Sequence, residues 1–325
     1  MSAAPPALGP LGGDGLQVIE LPGGGGQDAM AAIRLGIDRW GDGLSAAPED
    51  FDILLTAAPD APRPWVSVPP AELEGLVAEL AAAVARTPVA AAVLAQVLRM
   101  GERLAFNEAL VLESLAYSTL LAGAEFRAWR AATPVRTRPR NDASRVRLAR
   151  EDGVLIVAFA RSEARNAVDA AMRDELVEAL AFAAVDPEQT SVLLTGDGPS
   201  FSAGGDLDEF GRAPDPAAAH VIRVAQSPAR LLRGLGERAG ARVHGACIGA
   251  GIEIPASAAR VTASPDAWFR LPEVAMGLIP GAGGTASIPR RIGRERACFM
   301  ALSGRAIDVS TALAWGLVDA LEGAP

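Results

Sequence analysis

The sequence predicts an α/β protein in two parts. A core over residues 146–325 alternates strands with helices, and a mainly helical region over 16–132 precedes it. Three observations support this. After Asp152 the order runs strand, helix, strand, helix, strand, helix, the pattern of parallel pairing. From Pro70 to Leu121 apolar residues recur at helical spacing. Between Ala132 and Val146 neither pattern continues, so residues 133–145 read as a linker.

Residues 1–15 are rich in Gly, Pro and Ala and predict a flexible terminus. Leu16–Leu21 and Phe51–Thr56 (FDILLT) read as strands, the second stopped by the prolines of APDAPRP. Pro69 and Pro70 open the helix ELEGLVAELAAAVART, and two helical stretches follow near Pro88–Met100 and Asn107–Leu121. From Arg127 to Arg150 the chain carries eight arginines and a single acid, Asp142. This run reads either as a solvated linker or as a patch that contacts phosphate. In the core, GVLIVAFA and SVLLTGDG are strands around the amphipathic helix ARNAVDAAMRDELVEALAFAAVD. Residues 215–238 read as one helical stretch, ARVHGACIGAG as a strand running into glycines, and GIEIPASAARV as a short helix.

Composition removes several function classes. Half of the 325 residues are hydrophobic (50%) and 21% are charged, so the chain can bury a core and is not disordered as a whole. With 39 acidic against 30 basic residues, the net charge of −9 argues against nucleic acid or an anionic membrane as a partner. Every basic residue is arginine, which excludes a Schiff-base lysine and a P-loop. Cys247 and Cys298 are too few for a disulfide framework or a cysteine-rich zinc site. His220 and His244 offer little for metal chemistry and read as structural. With no apolar span of about 18 residues and no leader pattern, the expectation is a soluble cytoplasmic protein.

The chemistry concentrates in three glycine-bearing segments: 201–207 (FSAGGDL), 244–253 (HGACIGAGIE), and 271–274 (LPEV) followed by 277–285 (GLIPGAGGT). Glycine lets the backbone approach a ligand, and free N–H groups at a helix start favour an anion. None of the three is a dinucleotide fingerprint, and no G-x-S-x-G elbow occurs. Glu253 and Glu273 each stand alone in an apolar stretch. Such acids are either exposed and structural, or buried with partners and a raised pKa. In the second case they make an acid/base pair, provided the fold brings them together.

These segments, with RNAV (165–168), SGRAID (303–308) and GLVD (316–319), occur in an order and spacing that resembles the crotonase superfamily, the enoyl-CoA hydratase/isomerase family. The resemblance covers about residues 145–321. It implies a ββα-spiral core that binds an acyl-CoA thioester, with coenzyme A entering only as part of the substrate and no other cofactor. It places an oxyanion hole at the amides of Gly205 and Ala250. Glu253 falls where the family activates water, and Glu273 where it exchanges a proton with the substrate carbon. Arg165, Ala167, Ala203, Asp206 and Leu207 fall on the CoA channel, and Gly249, Pro272 and Gly281 on the remaining substrate-binding positions. The activity implied is enoyl-CoA hydration. The alternatives are isomerisation, other thioester-enolate chemistry (decarboxylase, thioesterase, oxygenase) and non-catalytic acyl-CoA binding. A homo-oligomer, trimer or hexamer, is also implied.

Several departures stand out. Ala259 replaces an Asp usual six residues after the first glutamate, Pro255 follows that glutamate closely, and Ala286-Ser287 replaces a usual Gln-Arg. The helical tail that normally follows the core is expected in front of it, at residues 69–130, with Ala95-Gln96 near a position where the family often has lysine. Residues 16–68 echo an early half-repeat of the core, FDILLTAAPDAPRPWV against SVLLTGDGPSFSAG.

Overall fold

The computed structural model describes residues 15–21, 32–41, 47–136, 143–186, 188 and 191–323. The expected flexible terminus, apart from Gly15, and the linker residues 137–142 lie outside the described residues.

The first part of the chain is mainly helical, as expected, with a small sheet in front of the helices. Strands β1 (Leu16–Glu20), β2 (Ile33–Asp38), β3 (Ile53–Thr56) and β4 (Val66–Ser67) form an all-parallel sheet in that order. Parallel strands covered on both faces read as apolar runs rather than alternations, and all four residues of β3 are buried. In β2, Arg34 and Gly36 interrupt the run and hide the strand. Gly36 is small because a Cβ there would stand 2.7 Å from Leu54 Cδ2.

Four helices follow: α1 (Pro70–Arg86), α2 (Pro88–Gly101), α3 (Phe106–Leu121) and α4 (Ala124–Ala132). Proline opens α1 and α2, where its missing N–H costs nothing. Glu108 reaches back to accept the Ala105 N–H at 2.9 Å and so closes the start of α3. The helix α1 buries Leu73, Leu76, Leu80 and Val84, one stripe at helical spacing.

The core begins with a hairpin, β5 (Val146–Glu151) and β6 (Val154–Phe159), turned through Asp152 and Gly153 at φ 49° and 79°. Then come α5 (Ala170–Val185), β7 (Ser191–Gly196), α6 (Pro216–Ala225), α7 (Pro228–Gly234), β8 (Ala239–Val243), β9 (Ala246–Ile248), α8 (Ala250–Glu253), β10 (Arg260–Ala263) and β11 (Trp268–Arg270). The chain ends with α9 (Gly284–Ile292), α10 (Arg294–Ser303), β12 (Ile307–Asp308), α11 (Val309–Trp315) and β13 (Ala320–Leu321). Six strands form one sheet in the order β13-β10-β8-β7-β6-β5, parallel except for the β5–β6 hairpin. A second sheet, β12-β11-β9, is extended by the bridge of Ser202 to Cys247. Each winding of the core thus gives one strand to the large sheet and the next to the small one, as β8–β9 and β10–β11 show.

Two helical expectations change. The stretch 215–238 is broken into α6, α7 and a 3-10 turn at Gly236–Arg238. Pro228 lacks an N–H to continue α6, and the Ser227 hydroxyl instead caps α7 by accepting from Arg230 N at 3.2 Å. The helix expected after Gly251 is a single turn, α8, succeeded by a 3-10 turn at Pro255–Ser257 because Pro255 cannot donate.

The N-terminal sheet and helices pack on the core through α9, α10 and α6. Buried arginines hold the contact. Arg294 Nη1 donates to Phe51 O at 2.8 Å and lies 3.7 Å from Asp52, while Arg296 donates to Trp65 O and Ala61 O. Arg99 Nε donates to Asp52 Oδ1 at 2.7 Å. No single described helix is long and apolar enough to cross a membrane.

Candidate active site

The turn that carries Glu253 is built by glycine. Gly249 sits at φ 50°, which an L side chain rarely adopts, and lets β9 swing directly into α8. Gly251 brings that turn against residue 202, since a Cβ there would stand 2.6 Å from Ser202 O. Glu273 begins a 3-10 turn, Glu273–Met276, after Pro272. The two carboxylates meet at Gly249, where a Cβ would lie 2.3 Å from Glu273 Oε1 and 3.7 Å from Glu253 Oε1. The fold therefore brings the sequence-predicted pair together.

Both open into a cavity of about 550 Å³, which Gly205, Ala250, Asp206 and Gly281 also line. The N–H groups of Gly205 and Ala250 have no acceptor among the described residues. In the bridge of Val168 to Gly205, the neighbouring amides do the pairing, Val168 N to Gly204 O and Asp206 N to Val168 O. Gly205 N is thereby left turned away from that strand. Ala250 N is the first amide of α8, an orphan donor by position.

A third carboxylate joins the pair. Glu113, from α3, is buried and accepts from Gly283 N at 2.7 Å, Thr285 N at 2.8 Å and Thr285 Oγ1 at 2.7 Å. Glu253 Oε2 accepts from Ala282 N at 2.7 Å and Gly284 N at 3.0 Å. Four consecutive amides at the start of α9 thus point alternately to Glu253 and Glu113. Close beside them, Tyr117 of α3 packs on Gly281, where a Cβ would stand 2.3 Å from its ring.

Burial dominates the protonation of all three acids. Burial pushes Glu113 up to about 7 against the pull of its bonds from Thr285 and Gly283. It lifts Glu273 to about 8, helped by the charge of Glu113 and opposed by Arg270. Glu253 is held well above the carboxylate range by burial and then by the charges of Glu273 and Glu113. Like charges this close do not all ionise at neutral pH. Two amides favour leaving the negative charge on Glu253, whereas Glu273 Oε2 is buried without a partner among the described residues and is better neutral. Burial also keeps the Tyr117 phenol protonated by raising its pKa.

The remaining sequence-predicted residues are placed less centrally. Asp206 lines the cavity but is committed to Arg161 at 2.8 Å, which Asp169 also contacts at 3.1 Å. Arg165, Ala167, Ala203 and Leu207 stand outside the cavity lining, and so do Gly249 and Pro272, which adjoin the glutamates. Arg165 has φ 53° and its carbonyl accepts Ala203 N at 2.9 Å. Of the arginine run, every described member has an internal partner. Arg127 donates to Ala122 O and Arg130 to Leu207 O, while Arg136, Arg145, Arg147 and Arg150 pair with Asp208, Asp169, Asp197 and Glu188. Arg138 and Arg140 lie outside the described residues.

Glu113 and Tyr117 escape the motif reading, because they come from a helix far upstream. A signal for Glu113 is present nonetheless: it sits on the buried stripe of α3 with Leu110, Tyr117 and Leu120, where an acid is costly unless partnered.

The chain is similar to known proteins. The chain is 36% identical over 171 residues to the 2,3-dehydroadipyl-CoA hydratase of Escherichia coli K12, covering 53% of this chain and 66% of that one. It is 34% identical over 176 residues to the mevalonyl-coenzyme A hydratase of Beauveria bassiana, covering 51% and 62%. The chain thus spans just under two thirds of the length of these relatives. The crystal structure of an enoyl-CoA hydratase from Thermoplasma volcanium superposes with a TM-score of 0.51 at 30% identity, covering 55% of this chain and 72% of that one. The core accordingly has the crotonase fold. The model of the enoyl-CoA hydratase/isomerase family matches residues 149–323, over half of the sequence, and the chain belongs to that family.

Proposed function

We propose that the protein is an acyl-CoA hydratase that adds water across the 2,3-double bond of a 2-enoyl-CoA. The observation that carries this reading is the pair Glu253 and Glu273, meeting at Gly249 beside two cavity-lining amides that have no acceptor among the described residues. The thioester oxygen sits on the amides of Gly205 and Ala250, which stabilise it as negative charge develops; removing one such donor typically costs ~10²–10³ in rate. Glu253, ionised and held by Ala282 N and Gly284 N, takes a proton from water as the water oxygen bonds C3. Glu273, neutral, gives its proton to C2 as the enolate collapses. Water is thereby added with one proton taken and one given, and the pair returns to its starting state by exchanging a proton with solvent.

Two relatives bear hydratase names for other acyl-CoA esters, which supports hydration over isomerisation. Coenzyme A enters as part of the substrate and leaves the cavity past Arg165, Ala167 and Ala203, chain neighbours of the lining residues Val168 and Gly205. No separate cofactor takes part. The experiment is hydration of crotonyl-CoA and longer 2-enoyl-CoA esters, followed by loss of enoyl absorbance and by mass spectrometry. Glu253→Gln and Glu273→Gln should each lower kcat by ~10²-fold or more. A double variant as active as the wild type refutes the mechanism, and a product of unchanged mass redirects it to isomerisation.

A further inference from the structure

The cavity carries a cation that hydration itself does not use. Arg223, on α6, lines it half-buried. Its Nη1 donates to Ser114 Oγ at 3.0 Å, Ser118 Oγ at 3.1 Å and Ser114 O at 3.3 Å. Its guanidinium lies over the Tyr117 ring, 4.5 Å from the centroid. These partners are all neutral. No carboxylate forms an ion pair with Arg223 among the described residues, and its Nε and Nη2 have no acceptor there. Burial weighs most against the cation; Tyr117 and the more distant charge of Glu113 favour it, and the charge of Arg173, which lines the same cavity, weighs against it.

Apart from the catalytic pair, the acids that line the cavity each have protein partners. Asp169 and Asp206 hold Arg161. Glu209 accepts from Ala170 N and Asp215 caps α6 at Ala217 N. Glu113 spends both oxygens on the start of α9. A partly desolvated charge with no carboxylate in direct contact is unfavourable. The rest of the wall near it, Leu110, Leu121, Phe210 and Ile222, is apolar and suits an acyl chain. The serines and the Tyr117 face fix the guanidinium plane, leaving one edge of the fork aimed at no protein group. That edge matches a carboxylate bidentately.

We propose that the preferred substrates are acyl-CoA esters whose chain bears a carboxylate remote from the thioester, and that Arg223 binds this carboxylate. The proposal rests on the acyl-CoA reading above. One aromatic ring links Arg223 to the loop beside Glu253. Tyr117 touches Gly281 on the loop that holds Glu253 and carries Arg223 on its face. The carboxylate bound at Arg223 therefore sets how far along the chain the double bond falls against the glutamates.

The test compares two 2-enoyl-CoA esters of equal chain length, one ending in a carboxylate and one in a methyl group. Wild-type kcat/KM should favour the carboxylated ester by about 10-fold or more. In Arg223→Met that ratio should fall by about 10- to 100-fold, the range expected for a lost charged hydrogen bond, with KM rising most; Arg223→Lys should recover part of it. Parallel loss on both esters in Arg223→Met, with the ratio unchanged, overturns the proposal and leaves Arg223 a brace for α3. So does a wild type that prefers the methyl-ended ester. If neither ester is hydrated, calorimetric binding of the two esters to both proteins reads the same ratio. The hydratase reading then fails while the carboxylate preference stands or falls by itself.

Discussion

Replacing Glu113 by alanine sets two buried effects against each other, and their balance depends on pH. The substitution leaves Gly283 N, Thr285 N and Thr285 Oγ1 without their buried acceptor. Each orphaned group costs about 1–3 kcal/mol, so the loss is on the order of 3–9 kcal/mol. Against this, the wild type pays for a carboxyl raised to about 7 from an unfolded value near 4.5. The sign follows from linkage. A raised acid stabilises the fold fully below its unfolded pKa, and that contribution is lost as pH rises through the folded value. By pH 7 the loss is about 3 kcal/mol, whereas at pH 5 it is below about 1 kcal/mol. Alanine has no proton to bind, so Glu113→Ala should destabilise more at pH 5 than at pH 7, by about 2 kcal/mol. Urea unfolding of both proteins at the two pH values measures this directly. A destabilisation independent of pH, or one under about 1 kcal/mol at pH 5, would refute the assignment of Glu113 as a buried acid clamping α9.

Three further outcomes are expected. Gly249→Ala should abolish hydration by ~10²-fold or more in a protein that still folds, because the new Cβ would sit 2.3 Å from Glu273 Oε1 at a backbone φ of 50°; normal activity would show that Glu273 does not stand there. The rate should fall as pH rises through about 8, where Glu273 loses the proton it donates, and a pH–rate profile flat to pH 10 would assign the proton to another group. Asp52→Ala should cost about 1–3 kcal/mol in thermal or urea unfolding, since it removes the buried carboxyl that accepts from Arg99 and lies beside Arg294, which keeps Glu102 and Glu295, and a change under about 1 kcal/mol would make that cluster incidental.

What could be read beforehand depends on how locally each feature is encoded. Glu253 and Glu273 were legible because glycine and proline surround them in short segments, and backbone geometry near Gly249 leaves few residue choices. The α/β core was legible because strand and helix periods alternate cleanly after Asp152. The N-terminal sheet was half legible. FDILLT is an apolar run, but β2 places Arg34 and Gly36 inside a buried strand, and Gly36 is explained only by Leu54 and Phe51 lying against it. A lone sequence does not carry that contact. Pro228 and Pro255 carry the breaks that follow α6 and α8, against the helical spacing of the residues around them. Glu113 was beyond motif reading for another reason. Its partner Gly283 is 170 residues away, and only the fold joins them.

The alternation along the start of α9 explains why the upstream helices are more than a cover. Successive amides at a helix start point in different directions, and four of them lack partners within the helix. Glu253 can reach Ala282 N and Gly284 N from the core side. It cannot also reach Gly283 N and Thr285 N, which face α3 and are buried beneath it. An acceptor has to come from the other side, and one carboxylate with two oxygens satisfies both amides and the Thr285 hydroxyl together. The positive end of α9 is then shared by two acids from opposite parts of the chain. Each draws on the same loop, so the position and charge of Glu253 depend on α3 being docked. A chain in which the helical region precedes the core therefore still completes the site from both sides, because the loop 281–285 needs the second acid wherever its sequence lies.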